Sequence, residues 1–187
     1  MYGRNLLTNP KIQIIPNKEK IINIITKHPG LRFYQIKNQT KIANGTIQHH
    51  LIQLINSKTI KVYYIKKIPR YFTSDIEKYN QIILLRVRQN TTSKIINSLL
   101  INECQTFSQL VKFSKKSPGT VSVYKNMLLA DKIIVGDTNP CKCSGTLNSK
   151  IKYRLVDPSR IHLLITEYGK SSLKKSSDNL VDIFLSL

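Results

Sequence analysis

The sequence predicts an α+β chain, mainly helical, made of two tandem copies of one small domain with a C-terminal helical tail. Three observations predict it. The first is an internal repeat. Slid by 74 residues without a gap, Ile21-Ile22-Asn23 falls on Ile95-Ile96-Asn97, Phe33 on Phe107, Gln35-Ile36 on Gln109-Leu110 and Gly45-Thr46-Ile47 on Gly119-Thr120-Val121. Leu54 then falls on Leu128, and Lys58 and Ile60 on Lys132 and Ile134. The second is a change of period inside each copy, from helical spacing of apolar residues to a short β-branched and aromatic run. The third is size: 187 residues, 41% hydrophobic, suit one domain or two small ones with real cores.

Residues 1–16 read as an N-terminal arm carrying Arg4 and Lys11. The first domain is expected over 17–74. Asn17 is a candidate N-cap for a helix bearing Ile21, Ile22, Ile24 and Ile25, which Pro29-Gly30 ends. A short second helix is expected over about 33–40, with Phe33 and Ile36 inward. A third starts near Ala43 or Asn44, and its Ile47, Leu51 and Leu54 recur at i, i+4 and i+7, with His50 on the same side. Ile60-Lys61-Val62-Tyr63-Tyr64-Ile65 reads as a strand, Lys66-Lys67-Ile68-Pro69 as a turn, and Arg70-Tyr71-Phe72-Thr73 as the return strand. Three helices followed by a hairpin is the order of a winged helix-turn-helix domain. Residues 75–90 are expected to form a linker helix, centred on 76–87. The second domain follows over 91–156, its third helix opening at Ser117 (N-cap) and Pro118 (first turn). Its strands fall at 132–135 and 151–155, joined by a longer polar loop. In the tail, 157–187, Asp157-Pro158 starts a helix with Ile161, Leu164, Ile165 and Tyr168 on one face. Leu180, Val181, Phe184 and Leu187 mark a last amphipathic stretch, and these two apolar faces suggest self-association as a homodimer.

The charge says what such a chain meets. Thirty Lys and Arg against ten Asp and Glu leave a formal +20. Residues 1–74 hold 13 bases and the single acid Glu19, for +12; residues 75–156 hold 13 and five, for +8; residues 157–187 hold four of each. A basic surface confined to the two repeats points to a polyanion. No apolar run approaches the roughly 20 residues of a membrane span, and no signal-peptide pattern opens the chain. The expected location is the cytoplasm, on the nucleoid. P-loop, H-E-x-x-H, nucleophile-elbow and dinucleotide-loop motifs are absent, so no enzyme and no cofactor is expected. Cys104 matches Gly30 of the first copy, and Cys141-Lys142-Cys143 falls in the second hairpin loop. One C-x-C without a second pair is a weak zinc pattern, so no metal is expected and the cysteines read as free loop thiols.

The stretch Pro29-Gly30-Leu31-Arg32-Phe33-Tyr34-Gln35-Ile36, then Gly45-Thr46-Ile47-Gln48-His49-His50-Leu51-Ile52-Gln53-Leu54, then Arg70-Tyr71-Phe72, resembles archaeal winged helix-turn-helix transcriptional regulators related to the ArsR/MarR group. Many of these carry two such domains in tandem. The resemblance covers about residues 17–156 and implies double-stranded DNA binding and transcriptional control. The second copy departs from it, with Tyr124 and Lys125 where the first has His50 and Leu51.

Independently of that resemblance, a helix in the major groove reads bases with polar side chains near its N-terminus. With Ile47, His50, Leu51 and Leu54 turned to the core, the opposite face of the third helix shows Asn44, Gln48, His49 and Ile52. Thr46 sits at the helix start, where free N–H groups suit a phosphate. Gln48 is the best base reader, since a side-chain amide can bond adenine twice. Lys66, Lys67 and Arg70 are expected on the wing, against backbone or minor groove. In the second copy Lys116, Ser122, Lys125 and Asn126 form the corresponding face. Two other readings remain open: a winged-helix protein-interaction module of a larger transcription assembly, and an RNA-binding winged helix.

Overall fold

The computed structural model describes residues 16–138 and 151–169. The first unit runs α1 (Asn17–Lys27), α2 (Phe33–Thr40), α3 (Asn44–Asn56), β1 (Ile60–Ile65) and β2 (Ile68–Thr73). Next come α4 (Lys78–Val87) and the second unit: α5 (Asn90–Ile101), β3 (Gln105–Thr106), α6 (Phe107–Ser114), α7 (Pro118–Ala130), β4 (Ile134–Asp137) and β5 (Lys152–Leu155). Helix α8 (Pro158–Tyr168) closes the described chain. Two units of helices and a wing-like hairpin, followed by a C-terminal helix, give the mainly helical tandem winged-helix architecture expected.

The 74-residue offset carries α2 onto α6 and α3 onto α7, residue for residue. It also carries the core. Ile21, Ile25, Ile36, Ile47, Leu54 and Ile60 are buried in the first unit, and Ile95, Leu99, Leu110, Val121, Leu128 and Ile134 in the second. The turns repeat as well. The six non-glycine residues with positive φ among those described are all lysines. Lys41 and Lys115 (φ 57° and 52°) end α2 and α6, and Lys58 and Lys132 (φ 56° and 57°) lead into β1 and β4. A side chain in the left-handed region costs about 1–2 kcal/mol, and glycine does not meet that cost. Lys58→Gly is therefore expected to raise unfolding stability by about 0.5–1 kcal/mol after the extra freedom of the unfolded chain is discounted. The urea midpoint checks it, and a lower midpoint contradicts it.

Several boundaries differ from expectation. The N-cap of α1 is Pro16, with Asn17 as first helical residue and no side-chain cap. The first hairpin turn is two residues, Lys66-Lys67, because β2 begins at Ile68 with Ile65 opposite it and Tyr64 opposite Pro69. Both turn lysines have positive φ, 46° and 65°, as a type I′ turn requires. The second sheet has three strands in the order β3-β5-β4. Its β3 matches the single bridge that Leu31 makes to Tyr71 in the first unit. Cys104 is disulfide-bonded where a free thiol was expected; Cys141 and Cys143 lie outside the described residues, as do the arm and the Leu180–Leu187 stretch.

The helix that joins the two units, α4, is buried on its apolar side. Ile83, Leu84, Leu85 and Val87 of α4 are buried in the second unit's cluster, and so are Phe72 and Ile76 of the chain leading into it. Gly30, at φ +85°, lies under Phe72, and a Cβ there would stand 3.0 Å from the Phe72 ring and 3.3 Å from Leu85. Only glycine fits both that φ and that contact. Helix α8 packs on α4. Asp157 Oδ1 accepts from Arg160 N at 2.9 Å, with Pro158 in the first turn. The Arg160 guanidinium donates to Asn80 Oδ1 at 2.8 Å, pairs with Glu77 and lies over the Tyr79 ring. Ile161 and Leu164 are buried in the shared core, with Ile165 and Tyr168 against it. The face of α8 made by Ile161, Leu164, Ile165 and Tyr168 is thus packed within the chain, while Leu163 on its other side is exposed.

Candidate nucleic-acid interface

Helix α3 presents two faces. Ile47, Leu51 and Leu54 are buried, while Asn44, Gly45, Gln48, His49, Ile52 and Gln53 are exposed. Thr46 and His50 are half-buried between them. The predicted readers Asn44, Gln48 and His49 therefore stand together on the solvent side of the first two turns, with Thr46 at their edge.

The start of α3 is open. Its N-cap is Ala43, which has no side chain able to accept from the first-turn N–H groups. Those groups and the helix dipole favour an anion. Gly45 has nothing within 4 Å of where a Cβ would sit and no positive φ, so the fold itself does not require a glycine there. In α7 the matching Gly119 is equally bare, but the Ser117 hydroxyl accepts from Thr120 N at 3.3 Å and caps the helix. One of the same N–H groups is thus satisfied internally in the second unit and left available in the first.

Gln53 was missed from sequence. Its Nε2 donates to His49 Nε2 at 3.0 Å, and its Oε1 accepts from His50 Nδ1 at 3.4 Å. The two rings meet edge-on at 5.5 Å. One amide thereby orients both histidines and leaves His49 Nδ1 as the protonated nitrogen. The spacing of His49 and Gln53, one helical turn apart on an exposed face, is the sequence signal that could have found it.

On the wing, Lys66 and Lys67 are exposed at the tip. Tyr64, 66% exposed, and Ile68 flank them. Holding two lysines in a turn that favours Asn-Gly is a local strain that the fold tolerates. Arg70 is elsewhere. It is half-buried, its Nη1 donates to Gly30 O at 3.2 Å, and its Nε is buried without a partner. Burial, then Arg32, holds the Arg70 guanidinium below its ordinary pKa. The structure does not bring Arg70 to the tip lysines.

In the second unit Lys116 and Asn126 are exposed and Ser122 is half-buried. Lys125 turns inward: its ammonium lies over the Phe107 and Tyr153 rings, 5.6 and 5.2 Å from their centroids, and reaches Tyr153 Oη at 3.4 Å. It occupies the position of the buried Leu51, so a snorkelling cation replaces an apolar core residue. Val123, 61% exposed, stands where the first unit has His49. The polar face that Asn44, Gln48 and His49 make on α3 is broken on α7. Among the described residues no group of three or more His, Cys, Asp or Glu could hold a metal ion, and no helix is long and apolar enough to cross a membrane.

A family model described as an N-terminal HTH domain matches residues 16–84. The match covers the first unit and most of α4 and stops before α5. The first unit is thus similar to a helix-turn-helix domain by sequence as well as by fold, which is consistent with binding DNA or another nucleic acid. No curated protein matches this sequence.

Proposed function

We propose that the protein is a sequence-specific double-stranded DNA-binding transcriptional regulator that reads its site with α3 and grips the backbone with its first wing. The observation that carries this reading is the first two turns of α3: uncapped, bare at Gly45, and polar at Asn44, Gln48 and His49 on the solvent side. An open helix start suits a phosphate, and the side chains beside it suit base edges. Lys66 and Lys67 supply backbone cations beside the same unit, in a chain of net charge +20. Lys116, Ser122 and Asn126 of the second unit contribute backbone contacts, since α7 is already capped and carries Val123 at the reading position. Regulation follows by competition with the transcription machinery at a promoter or by its recruitment. Self-association, in this reading, uses the C-terminal segment, residues 157–187.

Selection of bound duplexes from a random pool tests it. Enrichment of a defined motif supports the reading, and a palindromic one supports a dimer. A pool that stays random at physiological salt, or tighter binding to hairpin RNA than to duplex, rejects it. Gly45→Ala gives a second check with two opposed signs. It stabilises α3 by up to about 1 kcal/mol, yet weakens duplex binding at least severalfold, because the new methyl stands where the DNA backbone comes close. Unchanged binding by the stabilised variant removes this helix start from the contact.

A further inference from the structure

We propose that the cleft between the two units is an effector site for a nucleoside phosphate, separate from the DNA-reading face. The cleft is a cavity of about 830 Å³, within the roughly 300–1,000 Å³ of small-molecule sites. Both units build it: Arg32 and Arg70 come from the first, Arg88 from the end of α4 and Lys94 from α5 of the second. Among the described residues, four cations line it and no carboxylate does. The α3 residues that face solvent take no part in it.

Two buried atoms in this lining have no partner: Arg70 Nε, a donor, and Gln89 Oε1, an acceptor. Leaving either unanswered is costly, more so for the charged group. Like charges also crowd there. Burial, then Arg70, brings the Arg88 guanidinium down to about 10, and burial, then Arg88, lowers His28. Asp75 and Glu167 bear on the Tyr168 hydroxyl, which burial and these carboxylates push up. A phosphate between the guanidiniums would relieve that crowding and give Arg70 Nε an acceptor. Gln89 Oε1 needs a donor, which the exocyclic amine of adenine, guanine or cytosine supplies. Tyr34, Tyr124 and Tyr168 line the same space and offer rings for a base to stack on. Phosphate, amine and flat ring together describe a nucleotide.

The test is titration of the full chain with ADP and GDP, using pyrophosphate and the free nucleosides as controls, followed by calorimetry and thermal melting. At least one diphosphate is expected to bind with a Kd below about 1 mM and to raise Tm, since it binds only the folded state; pyrophosphate is expected to bind more weakly and the nucleosides more weakly still. Arg70→Gln is expected to weaken binding at least tenfold. Should that variant fold poorly, Arg32→Gln with Lys94→Gln is expected to give the same loss. The proposal is overturned if neither diphosphate binds, or if binding survives both variants. It is equally overturned if the variants lose duplex affinity while no diphosphate binds, which would assign the cations to DNA phosphates. None of these outcomes depends on whether α3 reads a sequence.

Discussion

Replacing Gln48 and His49 together by alanine is expected to relax base preference at a few adjacent pairs while leaving most non-specific affinity in place. Both side chains are exposed on one face of α3. A bidentate contact from an amide to adenine discriminates by about 1–3 kcal/mol, so preference at that pair should fall roughly 5- to 150-fold. Competition between the selected site and single-base variants measures it. The fold should be indifferent, because the core-facing Ile47, Leu51 and Leu54 are untouched and an exposed helical alanine is favourable. Loss of His49 leaves Gln53 Nε2 without its ring partner while the Gln53 bond to His50 remains, so a small secondary change can be assessed with His49→Ala alone. If preference is unaltered at every pair, α3 is not the reader.

Exchanging Lys66-Lys67 for Asn-Gly is expected to weaken binding to all sequences alike and to flatten the salt dependence. Each phosphate contact contributes about 0.9 to the slope of log K against log salt, so the slope should fall by up to about 2. Asn-Gly is the pair that a type I′ turn prefers, and the two lysines sit there at φ 46° and 65°. The same change is therefore expected to raise the melting temperature. Opposed signs distinguish a wing that grips DNA from one that only needs its turn. An undiminished slope with a stabilised hairpin would leave the lysines as solvated turn residues.

Much of this architecture was legible in the sequence, and the reasons are local. The 74-residue repeat set the helix registers, and α2, α3, α6 and α7 follow it because each buries the same apolar positions. The Asp157-Pro158 start of α8 was readable because a cap is a property of adjacent residues. What could not be read depends on how the units dock. Arg70 alternates on a strand with residues that face the core, and no periodicity says that its outward side meets the second unit rather than solvent. Lys125 looked like a surface cation because its charge hides the fact that its methylene stem takes a core position. Ile76–Val87 carried an amphipathic pattern that fits a linker or a core helix equally well. The cleft cations Arg32, Arg70, Arg88 and Lys94 are scattered over more than sixty residues, and only tertiary structure gathers them.

The Phe72 ring packs against Gly30 and Leu85, with Ile76 in the same core, so the two units share buried side chains at their junction. In the proposed reading, a packed junction becomes a matter of phase on a duplex. A target that engages both units must present its two contact stretches at one separation and one angular setting around the double helix. An insertion of about five base pairs between them, half a turn, rotates one stretch to the far side. In the proposed reading, such a change of spacing is expected to weaken binding far more than base changes between the contacts do.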